Sequence, residues 1–210
     1  MNGEENDRLS TPNLGRIKVI RKHGTEQFLS CQEGLCVELR EFWAWSASDL
    51  ISNATRGVFA EFLVAKALGI STDGVREEWA SHDLATEDGL RIEVKSSAYI
   101  QSWSQAKHSS ISFSIAPSRA VIGESGAYGS ESARQADIYV FAVLAHKDQE
   151  TIEPLDVSQW HFHVVPTSAL NKLHGQKTIS LSQVDKLSGG SVTFTNLKAK
   201  VEKLQPGATE

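Results

Sequence analysis

Cysteine is nearly absent from this chain. Of its 210 residues, only Cys31 and Cys36 carry a thiol. One C-x4-C pair supplies too few ligands for a structural zinc site and too few thiols for a disulfide framework. Two reduced thiols are therefore expected, and with them a cytoplasmic protein. Long apolar runs are also missing. None approaches the roughly 18 residues of a spanning helix, so no membrane partner is expected. Residues 1–12 are polar and acidic and lack the apolar core of a signal peptide. Nor is there an excess of positive charge. Lys and Arg number 21 against 26 Asp and Glu, a net charge of −5, which argues against a non-specific nucleic-acid coat. No internal repeat and no low-complexity segment is present.

The rest is a globular composition: 40% hydrophobic and 22% charged residues. The length suits one domain with a sizeable core. The expected organisation is a flexible tail over 1–13, a single domain over 14–204 and a second tail over 205–210. Charge is uneven along the chain. From Asp73 to Asp88 there are six acids and one base, whereas from Arg91 to Arg119 there are four bases and one acid. A nuclease needs such a local basic track more than it needs a basic pI.

Alternating patterns predict strands over 16–20 and 35–39, followed by a helical region in which Ser48 is able to cap a first piece. The main helix is expected from Asn53 or Ala54 to Leu68, closed by Gly69. A short strand is expected over 75–79. His82–Thr86 and Leu90–Ser97 read as a hairpin around Glu87-Asp88-Gly89, with Asp-Gly as the turn signal. Ile111–Ile115 alternates again and ends near Pro117. Ala120–Ala133 is rich in Gly and Ser and reads as a loop. Asp137–Ala145 is almost continuously apolar, the mark of a buried central strand. Trp160–Val165 is a further strand before Pro166. Short helices are expected over Thr167–Leu173, Ser182–Leu187 and Asn196–Leu204. Together these predict an α/β fold, a central mixed β-sheet flanked by helices.

Chemistry concentrates in His82-Asp83 and Ile92-Glu93-Val94-Lys95. Side chains alternate along a strand, so Ile92 and Val94 hold the core while Glu93 and Lys95 share the other face, roughly 7 Å apart. Asp83 lies on the hairpin partner, within cross-strand reach. Two carboxylates suit Mg2+, with Mn2+ as an alternative ion, and leave water in its shell. Such a metal lowers the pKa of bound water and offsets phosphate charge. Lys95 is placed to orient or deprotonate the water, or to stabilise charge on the phosphoryl group. A lone acid-x-Lys carries little weight: with 26 acids and 12 lysines, about 1.5 matches arise by chance. Glu61 adds weight. It lies mid-helix with Gly57, Val58, Val64 and Ala65 at the i±3 and i±4 positions, so the helix offers it no salt-bridge partner.

Glu61 in a helix, Asp83 at a strand and then Glu93-x-Lys95 resemble the PD-(D/E)XK, restriction-endonuclease-like nuclease superfamily. Thr55-Arg56-Gly57, Ala60-Glu61-Phe62-Leu63-Val64-Ala65, Ile92 to Tyr99 and Gln101-Ser102-Trp103 are similar to its uncharacterised bacterial members. His82 stands where the motif has Pro. The resemblance implies a restriction-endonuclease-like fold and Mg2+-dependent hydrolysis of phosphodiester bonds. The substrate implied is DNA, with RNA left open, and the setting restriction, repair or defence. It implies Asp83 and Glu93 as metal ligands, Lys95 as the catalytic lysine, Glu61 as the accessory acid, and Gln101 as the glutamine some members place after the lysine. A homodimer is left open. The alternatives are a catalytically silent nucleic-acid- or protein-binding module on the same fold, and an unrelated α/β enzyme.

Further candidates carry bland readings beside functional ones. Ser96 and Ser97 suit a phosphate or nearby backbone groups. Lys107, His108 and Arg119 suit the DNA backbone or a solvated loop. Arg56, at the helix start, suits a phosphate or the plain surface. His161-x-His163 shares a strand face but lacks a third metal ligand, which favours a structural pair. Trp43, Trp45 and Trp103 are able to stack bases. Trp43 and Trp45, beside Leu39 and Phe42, read rather as packing residues. Gly123, Gly126 and Gly129 mark a Gly-rich loop with no Lys-Ser/Thr after it, hence not a P-loop and open to a role as a flap.

Overall fold

The expectation of a long helix ending at Gly69 is met closely. In the computed structural model, which describes residues 15, 17–29, 36–78, 80–122 and 127–204, helix α1 spans Leu39–Ala47 and α2 spans Asn53–Leu68. Gly69 sits at φ 75°, a left-handed cap that returns its N–H to the last turn and suits a residue without Cβ. The strands are β1 (Leu84–Ala85), β2 (Arg91–Ala98), β3 (Ser112–Ser114), β4 (Ser118–Ile122), β5 (Ala127–Ala133), β6 (Ile138–Leu144) and β7 (Trp160–Pro166). After them come α3 (Thr167–Asn171), β8 (Thr178–Ser180), α4 (Leu181–Ser188) and α5 (Leu197–Glu202).

The central sheet has the order β1-β2-β6-β7, with β2 and β6 parallel and the outer pairs antiparallel. It is therefore mixed, as expected. All seven residues of β6 are buried, as a central strand covered on both faces requires. On one face, Ile92, Val94, Val140 and Phe162 pack against Ala60, Leu63 and Val64 of α2 and Leu197 and Val201 of α5. On the other, Tyr139, Phe141, Val143 and Val165 meet Ile111, Phe113, Leu170, Ile179 and Val184. Each fully buried aliphatic or aromatic side chain among these is worth about 1.5–3 kcal/mol. A two-stranded ladder of β3 and β8 lies beside the second core. Among the described residues, no helix is long and apolar enough to cross a membrane.

Several expected elements differ. Residues 17–20 form no strand, and of the described residues 36–39 only Glu38 makes a β-bridge, to Gln27, before α1 begins; Leu35 lies outside the described residues. Glu38 and Glu41 close a capping box there, which starts a helix where alternation predicted a strand. Ser48 ends this helix rather than opening one. Residues 75–78 form no strand, and Trp79 lies outside the described residues. The expected loop at 120–133 is largely β4 and β5, an antiparallel pair with a register shift between Arg119 and Val121. Gly123 and Gly126, Cys31, and the tails 1–13 and 205–210 lie outside the described residues. Cys36 is a free, exposed thiol.

Candidate active site

The hairpin forms because Gly89 adopts φ 85°, which lets Thr86 and Leu90 close the turn around Glu87-Asp88. Leu84 pairs with Ile92 and Ala85 with Arg91, so one step further Asp83 falls opposite Glu93. The Asp83 N–H donates to the Ile92 carbonyl at 3.1 Å, and its Oδ2 accepts the Val94 N–H at 2.7 Å. The first bond fixes the Asp83 backbone beside β2 and the second pins its carboxylate there. On that strand the Lys95 ammonium donates to Glu93 Oε1, as the shared face predicted. Both side chains are half-buried.

Electrostatics mark Asp83 as the centre of the group. Burial pushes its carboxyl up to about 6, and the negative charges of Glu93 and Glu61 add to the rise, against the Val94 N–H and Lys95. Three acids therefore converge on one edge of the sheet, and their mutual repulsion is only partly offset by protein cations. Tyr139 lies beside Glu93 in the parallel register of β2 and β6. Its hydroxyl is pushed up to about 12, mainly by burial and then by Glu93.

Glu61 reaches the same place from α2. It has no partner at i±3 or i±4, as expected, but it is not unpaired. Arg76 grips it from outside the helix, with Nε 2.5 Å from Oε2 and Nη2 2.8 Å from Oε1. The Glu61 side chain is only 12% exposed. Glu61, Arg76, His82 and Asp83 line one cleft of about 450 Å³, whose other walls include Val58, Phe62 and Leu84. The structure therefore brings Glu61, Asp83, Glu93 and Lys95 together.

The remaining candidates are placed elsewhere. Arg56 is buried, 3% exposed, rather than a surface residue. It donates to Ser96 Oγ at 3.2 Å, the Ile51 carbonyl at 2.6 Å, Gln101 Oε1 at 3.3 Å and Asn53 Oδ1 at 2.5 Å. Burial lowers its pKa, with Asp49 opposing. Gln101 is buried too, and its amide donates to the Ala98 carbonyl at 2.8 Å. Arg56, Ser96 and Gln101 thus form one internal network. Ser97 is half-buried on β2, whereas Lys107 and Arg119 are exposed. His163 is buried against Ser188, with Nδ1 3.2 Å from Oγ, a structural place, while His161 is exposed. Trp43 is 40% exposed and packs against Gly24, whereas Trp45, in ring contact with Phe42, and Trp103 are largely exposed.

Arg76 and Tyr139 escaped the sequence reading. Arg76 had a signal: it is the lone base in the acidic run from Asp73 to Asp88. Tyr139 had none short of knowing that β2 and β6 pair. Among the described residues, no three His, Cys, Asp or Glu side chains form a cage for an ion. A hard dication held by one or two carboxylates and water does not require one.

A family model described as bacteriophage T4 endonuclease IV matches residues 39–183. The chain belongs to the bacteriophage T4 endonuclease IV family. The matched span runs from α1 into α4 and contains Glu61, Arg76, Asp83, Glu93 and Lys95. Membership in the endonuclease IV family supports a nuclease, and it leaves residues 15–29 outside the match. No curated protein matches the chain.

Proposed function

We propose that this member of the endonuclease IV family is a Mg2+-dependent DNA endonuclease with a PD-(D/E)XK-type site on the β1–β2 edge. One observation carries the reading: Asp83 is fixed opposite Glu93, whose carboxylate holds Lys95. The crowding that raises Asp83 fits a cation-binding site, because a dication relieves the repulsion that burial and Glu93 impose. Asp83 and Glu93 would hold Mg2+, with Mn2+ as an alternative and Glu61 as an accessory ligand. The ion would supply an activated water and charge neutralisation at the phosphate.

The chain's own groups do the rest. The Lys95 ammonium, fixed by Glu93, presents positive charge where negative charge grows on the phosphoryl oxygens. Val94 orients Asp83 through its N–H. Arg56 and Gln101 act behind Ser96, holding the far end of β2 against α2. Lys107, Arg119 and Ser97 are the remaining candidates for backbone phosphates.

A plasmid-nicking assay tests the reading. Wild type is expected to cut with Mg2+ and not with EDTA, and Lys95→Ala to lose roughly a hundredfold or more. Equal cutting by the two proteins overturns the site. A second reading, a silent binding module, is favoured by Arg76, which already neutralises Glu61. It predicts nucleic-acid binding without cutting, and no Mn2+ between Asp83 and Glu93 in a soaked crystal.

A further inference from the structure

We propose that residues 17–24, outside the family match, form an arm that grips the phosphate backbone of a nucleic-acid strand beside the acid cleft, through Lys18 and Lys22. This rests on the nuclease reading for the identity of the strand as substrate. The stretch Ile17-Lys18-Val19-Ile20-Arg21-Lys22-His23 contains three strong bases and no acid, in a chain of net charge −5.

The arm has a fixed place. The Gly24 carbonyl accepts the Arg40 N–H at 2.9 Å, Leu39 N–H donates to the Glu26 carbonyl, and Gln27 bridges Glu38. Gly24 lies at φ 91° against Trp43, where a Cβ would come 2.9 Å from the indole. The carboxylate of Glu26 is occupied by the N–H groups of His23 and Gly24. Further along, Arg21 pairs with Asp73 at 3.1 Å and lines the same cleft as Glu61 and Asp83. The arm therefore runs from α1 to the rim of the site.

Charge decides the role of this arm. An edge carrying Glu61, Asp83 and Glu93 repels a polyanion. Nearby cations are already engaged: Arg76 by Glu61, Lys95 by Glu93, Arg91 by Asp137, and Arg56 by its buried network. Lys18 and Lys22 are exposed, and neither forms an ion pair among the described residues. Bringing a strand to the cleft requires unspent positive charge, and the arm supplies it. The exposed Ile17, Val19 and Ile20 on the same stretch offer the competing occupant, a second copy of this chain.

The test uses the full chain, EDTA to prevent cutting, and a fluorescein-labelled oligonucleotide, single-stranded and as a duplex. Anisotropy gives the binding constant between about 50 and 200 mM salt. For the double variant Lys18→Gln/Lys22→Gln, the slope of log K against log salt is expected to shrink by about 1.4 on the single strand and about 1.8 on the duplex. Both side chains are exposed, so the melting temperature should stay put. An unchanged slope overturns the arm, as does a wild type that binds neither probe. So does a fall in solution mass on Ile20→Asp without any change in binding, which would make the arm a contact between copies. If the slope shrinks while Lys95→Ala still cuts like wild type, the arm stands and the site assignment fails.

Discussion

Arg76 and Glu61 form a two-pronged ion pair that joins the loop after α2 to the helix itself. The helix acid is thus held in the cleft by a cation a metal would have to displace or share. A metal held by Glu61 would compete with Arg76 for the same oxygens. Arg76→Gln is expected to tighten Mn2+ binding several-fold by calorimetry. Arg76 is 40% exposed but the Glu61 side chain only 12%, so loss of the pair leaves a largely buried carboxylate unpaired and should cost about 1–3 kcal/mol in stability. Weaker Mn2+ binding in the variant would instead make Arg76 a positioning residue for Glu61.

Asp83 predicts a stability gain from a loss of function. Its carboxyl titrates at about 6 in the folded chain, against 3.8 ordinarily, chiefly because it is buried and then because Glu93 is near. The folded state binds this proton more tightly than the unfolded state. The stabilisation is therefore complete below about 3.8 and is lost as pH rises through 6. Without metal, Asp83→Asn should raise stability at pH 7.5 by on the order of 2 kcal/mol, seen as a melting temperature roughly 5 °C higher. Near pH 4 the two proteins should melt together. An equal gap at both values would show that ionisation is not the cause. The same variant should not cut DNA.

Much of this was legible in the sequence where a pattern is local. The cap at Gly69, the turn at Asp88-Gly89 and the apolar run of β6 each carry their own signal, and the elements end close to where those signals fall. The Asp83, Glu93 and Lys95 geometry followed from hairpin register and strand alternation alone. What was not legible depends on distant pairing. Arg76 meets Glu61 fifteen residues on, beyond any helical spacing rule. The strands β4 and β5 flank the Gly- and Ser-rich stretch and pair with one another, a pairing that local composition does not announce. Arg56 looks like a surface residue until Ser96 and Gln101, far along the chain, supply its acceptors.

Arg56 gives the third expectation. It is a buried cation whose hydrogen-bond partners, Ser96, Ile51, Gln101 and Asn53, are all neutral. A guanidinium serves several acceptors at fixed angles, and an ammonium at this position cannot serve them all. Arg56→Lys should cost about 1–3 kcal/mol in urea unfolding by leaving acceptors without donors. Gln101→Ala should cost a similar amount. The two losses should be less than additive, since they break one network. Full additivity would show that the two side chains act independently.

His163 sets a second titration against that of Asp83. Its imidazole is buried on β7 beside Ser188, and burial lowers its pKa from 6.5. Asp185 opposes the shift, while His161 and Lys200 add to it. Here the unfolded state binds the proton more tightly. The stabilisation is present above 6.5 and is lost as pH falls through the lowered folded value. Between pH 7.5 and 5 the two groups therefore pull the wild-type melting temperature in opposite directions. His163→Gln removes the acid-sensitive part. Relative to wild type, its melting temperature should rise as pH falls toward 5, while that of Asp83→Asn should lose its advantage. Parallel pH profiles for wild type and His163→Gln would mean that His163 does not titrate in this range.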